Sequence, residues 1–252
     1  MLFRRTKHKV ELTDAGRALI VEAQAILAAT EQAKRSVMRA EEGLVGRLVI
    51  GYTNTAIYSN FPKILMAYRH QFPKVELVLQ DSLLTPMQIQ ALVDKRMDIG
   101  CLRPPVQSPD IELLTIAHER LVLALPAAHP LASQARINLK DLAQEGFICF
   151  SRSLSSSLQT LVFQTCQDAG FQARVVQEVG DIPTMLMLVS CGMGVALVPS
   201  SSRSIRMNGL VLRNLVGGGP QLELALGWNR GVKSVIRDGF VDVARSFVQH
   251  GG

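Results

Sequence analysis

One arginine and two clusters of small polar residues are the parts of this 252-residue chain best suited to holding a ligand. Arg103 follows the apolar stretch DIGCL and precedes Pro104-Pro105. A guanidinium at the end of a strand can grip a carboxylate through two parallel hydrogen bonds. Such a charge-assisted bond contributes roughly 1.5–3 kcal/mol net. Thr53-Asn54-Thr55 and Ser155-Ser156-Ser157 each stand at the expected start of a helix. Backbone N–H groups and the positive end of a helix dipole favour an anion there, and hydroxyl and amide side chains add donors. Ordinary capping also accounts for such residues, so their weight depends on whether they face each other across a cleft. The chemistry they support is recognition of a small organic anion.

Bond-making chemistry finds no such support. His8, His70, His118, His129 and His250 are scattered, without the HxxxH or HExxH spacing of a metal site. No GxSxG elbow precedes a helix. Gly192 and Gly194 begin like a dinucleotide loop, but Leu197 fills the third glycine position and a strand follows. Asp98 and Asp181 lack a paired carboxylate at useful spacing. Cys101, Cys149, Cys166 and Cys191 form no CxxC pair and lie in apolar stretches, so buried free thiols in a reducing cytosol are expected. No enzyme activity, metal or cofactor is expected.

The positioning elements read clearly. From residue 47, strand and helix patterns alternate: RLVIGY, a helix through IYSNFPKILMAYRHQF, VELVLQ, the helix PMQIQALVDKR, and DIGCL. After LVLALP a second series follows: FICFS, the helix SLQTLVFQTCQDAG, ARVVQEV, the helix IPTMLMLVSCG, and VALVP. Alternation of this kind predicts parallel sheet with right-handed crossovers, and two series predict two lobes with a cleft between them. The strand ELALGWN and an amphipathic helix over 234–248 remain, with Ile236, Phe240, Val243, Ala244 and Phe247 on one face. They are expected to return to the first lobe. The lobes are then 44–117 plus 221–252, and 118–220, with crossings near residues 118 and 220.

Ahead of them, residues 13–43 carry no proline and predict one long helix, with Thr13 as its cap. Leu19, Ala23, Ile26, Thr30, Ala33 and Val37 recur in steps of four and three, a narrow seam that needs a partner helix. A second copy of the chain is the simplest one, giving a homo-dimer. Arg4, Arg5, Lys7 and Lys9 lie in the first nine residues with no acid among them, which favours a local phosphate contact. The start has no apolar run for a signal peptide, and the longest apolar stretch, 185–198, is broken by Ser190, Gly192 and Gly194. A cytoplasmic protein without a membrane partner is expected.

Taken in order, these segments resemble the LysR-type transcriptional regulators. LFRRTKHKVELTDAGRALI is similar to the family's wing, residues 1–12 here, followed by its linker helix. RLVIGY with Pro62 and Phe72-Pro73 resembles the opening of its effector domain; DIGCLRPP, LVLALPAAHPLA, VVQEVG and LVSCGMGVALVPSSS resemble later stretches. The resemblance implies an α/β, two-lobed, periplasmic-binding-protein-like effector domain preceded by a dimerisation helix. It implies that DNA-reading helices belong before residue 1 and that this chain keeps phosphate contacts alone. In the subgroup that senses aromatic-degradation acids such as muconate, effector contacts fall at positions matching Thr55, Thr85, Arg103, Ser156, Leu158 and Ile182. DSLLTPMQ is one residue longer than the usual pattern, so a neighbour such as Ser82 can stand in the place of Thr85, and Leu158 stands where a bulkier aromatic can occur. A cytoplasmic two-lobed small-molecule-binding protein with no DNA binding of its own is the alternative; an exported solute-binding protein fits less well, because it would carry a signal and no long first helix.

Overall fold

The computed structural model describes residues 2–5, 10–19, 23, 26, 27, 30, 45–81, 83–151 and 157–249. Strands β1 (Phe3–Arg5) and β2 (Val10–Leu12) form an antiparallel hairpin with Phe3 opposite Leu12. Arg4 and Arg5 lie on its first strand, while Lys7 and Lys9 fall outside the described residues. The Thr13 hydroxyl ties hairpin to helix: it donates to the Leu2 carbonyl at 3.1 Å and accepts from the Gly16 N–H at 3.1 Å, an N-cap bond. Residues 14–19, 23, 26, 27 and 30 are helical. Of the expected seam, Leu19, Ala23, Ile26 and Thr30 are exposed, Ile26 at 67%; Ala33 and Val37 fall outside the described residues.

Two α/β lobes follow. The first opens with β3 (Gly46–Tyr52), α1 (Phe61–Gln71), β4 (Val75–Gln80), α2 (Thr85–Val93) and β5 (Ile99–Leu102). The three strands are parallel in the order β4-β3-β5. All four residues of β5 are buried, as a strand covered on both faces requires. The helix expected through 57–72 is interrupted. A 3-10 turn occupies Ala56–Tyr58, and the Ser59 hydroxyl then donates to the Ala56 carbonyl at 2.7 Å and accepts from the Phe61 N–H at 3.1 Å. That side chain competes with the helical bond pattern, and α1 starts afresh with Pro62 in its first turn.

The sixteen-residue strand β6 (Ile111–Pro126) carries the chain into the second lobe. There β7 (Arg136–Ile137), β8 (Gly146–Phe150), α3 (Ser157–Asp168), β9 (Arg174–Val179), α4 (Ile182–Ser190), β10 (Ala196–Pro199) and β11 (Leu210–Leu215) follow. Strand β12 (Gln221–Asn229) returns, and α5 (Val235–Gln249) closes the chain. The sheet is mixed, not parallel throughout as the alternation predicts: β6 runs antiparallel to β10, β11 and β12. A chain that enters a second lobe and comes back must send its two connecting strands in opposite directions. Strand periodicity carries no information about that direction.

Each lobe has its own core. In the first, Ile50, Phe61, Ile64, Tyr68, Leu224 and Trp228 pack with Phe240 and Ala244 of α5, joined by the half-buried Ile236, Val243 and Phe247. Burying Phe240 alone is worth about 1.5–3 kcal/mol. The second gathers Leu121, Leu123, Phe147, Leu158, Met185, Leu186 and Val198. Strand β6 gives Ile116 to one cluster and Leu121 to the other; β12 gives Leu224 to one and Leu222 to the other. This pair of strands therefore joins the two cores, and its middle forms the hinge between the lobes. No helix among the described residues is long and apolar enough to cross a membrane.

Three thiols are buried, but Cys191, expected to be so, is exposed at the C-terminal end of α4. It is the C-cap residue of the helix, ahead of Gly192 at φ 81°. Burial pushes the Cys166 thiol up to about 12 and also raises Cys101. Thiolates react and buried thiols do not. Brief iodoacetamide treatment of the native protein should therefore label Cys191 alone, and denaturant should release the other three. Native labelling of Cys166, read by peptide mass spectrometry, would contradict this core.

Candidate functional site

Arg103 stands just past the end of β5, where the first lobe turns toward the second. The residue is 5% exposed. Nη2 donates to Glu119 Oε2 at 2.6 Å, Nη1 to the Glu223 carbonyl at 3.2 Å, and Nε to Thr55 Oγ1 at 3.1 Å. Its backbone N–H donates to Thr85 Oγ1 at 3.1 Å, and the same hydroxyl lies 3.3 Å from its carbonyl. The guanidinium expected to grip a ligand carboxylate is thus already paired with a carboxylate of the chain itself. Long-range pairing of β6 beside β12 brings a carboxylate 16 residues away against it, and Glu119 is 6% exposed. Glu119 Oε1 is buried with no hydrogen-bond partner among the described residues.

Thr53–Thr55 do not introduce a long helix. The helix they introduce is a three-residue 3-10 turn, too short for a useful macrodipole. Thr55 makes no capping bond; its hydroxyl accepts from Arg103 and lies 3.4 Å from that of Thr53. These side chains orient a cation instead of completing a helix end.

Between the lobes lies a cavity of about 300 Å³. Thr53, Asn54, Thr55, Leu83, Leu84, Thr85, Met87 and Arg103 line it from the first lobe, and Phe150, Ser157, Leu158 and Gly180 from the second. A second cavity of about 340 Å³ shares Arg103, Ser157 and Leu158 and extends past Pro104, Pro105, Leu161 and Gln221–Glu223. Five of the expected residues, Asn54, Thr55, Thr85, Arg103 and Leu158, thus come together. Ser156 falls outside the described residues, and its neighbour Ser157 lines both cavities. Ile182 is fully buried in the core of the second lobe and lines neither; Gly180, two residues earlier, does.

Several contributors escaped the sequence reading. Gln88 is fully buried, and its Nε2 donates to the Leu83 carbonyl at 2.8 Å and the Cys101 carbonyl at 3.2 Å. It ties Leu83 to the strand that presents Arg103. Phe150 ends a strand whose residues all read as core. Glu119 gave one usable signal, a lone acid before the apolar run LVLAL.

Among the described lining residues, Arg103 is the cation and Glu223 the carboxylate. Glu223 is spoken for on the far side by the Thr115 hydroxyl at 3.0 Å and His118 at 3.7 Å. Burial raises the Tyr58 phenol above its usual value, and the Asp181 carboxylate, from the other lobe, adds to it. No group of three or more metal-ligating side chains converges among the described residues. The site is a mostly apolar slot with hydroxyls, one amide and one already-paired guanidinium.

A two-lobed α/β body with such a slot at its hinge is a ligand-binding domain. Residues 41–246 match the LysR substrate binding domain. The chain is 32% identical over 243 residues to the HTH-type transcriptional regulator ShiR of Corynebacterium glutamicum, covering 96% of this chain and 82% of that one. Among solved structures, full-length CbnR complexed with its target DNA superposes with a TM-score of 0.84 at 25% identity, over 98% of this chain and 84% of that one. The BenM effector binding domain with its effector benzoate gives 0.74 at 25% identity, over 81% and 93%. The chain belongs to the LysR family of transcriptional regulators, which are not enzymes.

Proposed function

We propose that this LysR-type regulator senses a small aromatic or similarly apolar monocarboxylic acid in the cavity between its lobes. The observation that carries the reading is the make-up of that cavity: apolar walls around one guanidinium whose charge Glu119 already offsets. A second carboxylate on the ligand would meet no second cation among the described lining residues, so one acid group and an apolar body fit best. Asn54, Thr55, Thr85, Ser156 and Leu158 complete the contacts, with the neighbourhood of Ile182 supplying backbone. The benzoate bound by the BenM domain is of this class.

Because the ligand touches both lobes, it favours one closure angle. Lobe geometry then alters packing of a dimer or tetramer built on the seam from Leu19 to Val37, and through it the contact with DNA, where Arg4, Arg5, Lys7 and Lys9 meet phosphates. A protein acting on DNA in this way works in the cytoplasm.

Calorimetric titration with benzoate, 3-phenylpropionate and muconate tests the reading. The two monoacids should bind and the diacid should bind at least ~5-fold less tightly. Thr55→Val, which removes one oriented hydroxyl, should weaken the monoacids about 5-fold, the worth of one hydrogen bond. A flat response to all three acids, or a diacid that binds best, overturns it.

A further inference from the structure

On the outer side of the hinge lies a separate groove of about 510 Å³, lined by His118, Arg120, Arg136, Ser200, Asn214 and Gly218 among others. Its size is that of a small-molecule cleft. Strand alternation separates it from the inter-lobe cavity: His118 and Arg120 are exposed on one face of β6, while Glu119 between them is buried against Arg103.

The donors in this groove are held in place. Arg120 Nη1 donates to the Gly219 carbonyl at 3.2 Å, and the Arg120 backbone N–H reaches Ser200 Oγ at 3.4 Å. Gly218 has φ 91°, and a Cβ there would stand 3.1 Å from Arg120 Nη1. Glycine therefore keeps the guanidinium uncovered. Arg136 pairs directly with Asn214 across β7 and β11. Asn214 Oδ1 accepts from Arg203 Nη2 at 2.8 Å, which leaves the amide hydrogens as its free side.

Counter-charge free to pair with the arginines is scarce among the described residues. The sequence has no Asp or Glu between Asp181 and Glu223. Neither Arg120 nor Arg136 forms an ion pair among the described residues, and the one carboxylate at the groove, that of Glu119, is bound to Arg103. Two guanidiniums, an amide and a hydroxyl thus share one concavity whose nearby acids are engaged elsewhere: Glu119 with Arg103, and Glu223 with Thr115 at 3.0 Å and His118 at 3.7 Å. Planar guanidinium forks match the oxygens of phosphate.

We propose that this groove is a second anion site, independent of the inter-lobe cavity, that takes a phosphate-class dianion: inorganic phosphate or the phosphate end of a monoester. Calorimetric titration of the full chain with sodium phosphate and with phenyl phosphate, at constant ionic strength set by chloride, tests it. Saturable one-site binding is expected, weakened at least ~10-fold in Arg120→Gln/Arg136→Gln. Asn214→Asp keeps the acceptor for Arg203 but puts a carboxylate beside Arg136, and should cause a similar loss without touching either arginine. Tighter binding of phenyl phosphate identifies a monoester as the ligand class; equal or tighter binding of phosphate identifies the free ion. The site is disproved by absence of saturable heat, by binding that both variants keep, or by binding lost instead in Gly180→Trp, which would put the anion in the cavity. Duplex DNA that binds through Arg120 and Arg136 where phosphate does not would reassign the groove to nucleic acid and overturn the proposal as well.

Discussion

Arg103→Met lowers the free energy of unfolding by about 3–5 kcal/mol, read from the shift in denaturant midpoint. Breaking a buried ion pair from one side leaves an uncompensated charge, and that costs more than the intact pair ever contributed. Here the survivor is Glu119, 6% exposed, with Oε1 already lacking a hydrogen-bond partner among the described residues. The double change Arg103→Met/Glu119→Leu should recover most of the loss, because two apolar side chains of similar volume replace the pair at little net cost. Ligand binding separates the two effects. The double variant, although stable, should bind benzoate no better than Arg103→Met, since neither offers a guanidinium to the carboxylate. A midpoint for Arg103→Met within ~0.5 kcal/mol of the parent would mean that water reaches Glu119, and the description of the pair as buried would be wrong.

Gly180→Trp is expected to abolish acid binding, by at least ~100-fold or about 2.7 kcal/mol, while leaving the unfolding midpoint within about 1 kcal/mol of the parent. Gly180 lines the inter-lobe cavity, and a Cβ added there meets no heavy atom within 4 Å. Its φ lies outside the left-handed region, so a side chain brings no backbone strain. An indole therefore enters the space a ligand needs without displacing core atoms. Direct titration with benzoate and a parallel denaturation curve decide the matter. Unchanged affinity in the folded variant would remove the 300 Å³ cavity from consideration as the ligand site.

These two variants also show how far the sequence could be read. Thr55, Thr85, Arg103 and Leu158 are far apart in the chain and yet were expected at one cleft, and they line one cavity. Most of that came from a family resemblance carried over residue by residue, with local chemistry adding Asn54 and Arg103 on its own account. Glu119 stands out as an acid ahead of an apolar run, but its partner was not legible, because nothing in HERLVLAL says that its second residue will face a strand ending at Leu102. Gln88 reads as an ordinary polar residue of an amphipathic helix, and only the closeness of Leu83 and Cys101 turns it inward. Ile182 shows the opposite error: a position matched by pattern whose side chain went to the core.

What the amino-acid order settled alone are the properties carried by short spans. Strands such as VELVLQ and FICFS, the capped start of the first helix at Thr13, the stop after Ser190 and the apolar face of α5 all follow from side-chain period and cap chemistry within about fifteen residues. Tertiary structure decided the rest: the antiparallel sense of β6 and β12, the partner of Arg103, the exposure of Cys191 and the face of the hinge on which Arg120 and Arg136 meet. Each of these depends on which distant strand lies alongside. That choice is made by burial summed over a whole lobe, and no local window of residues contains it.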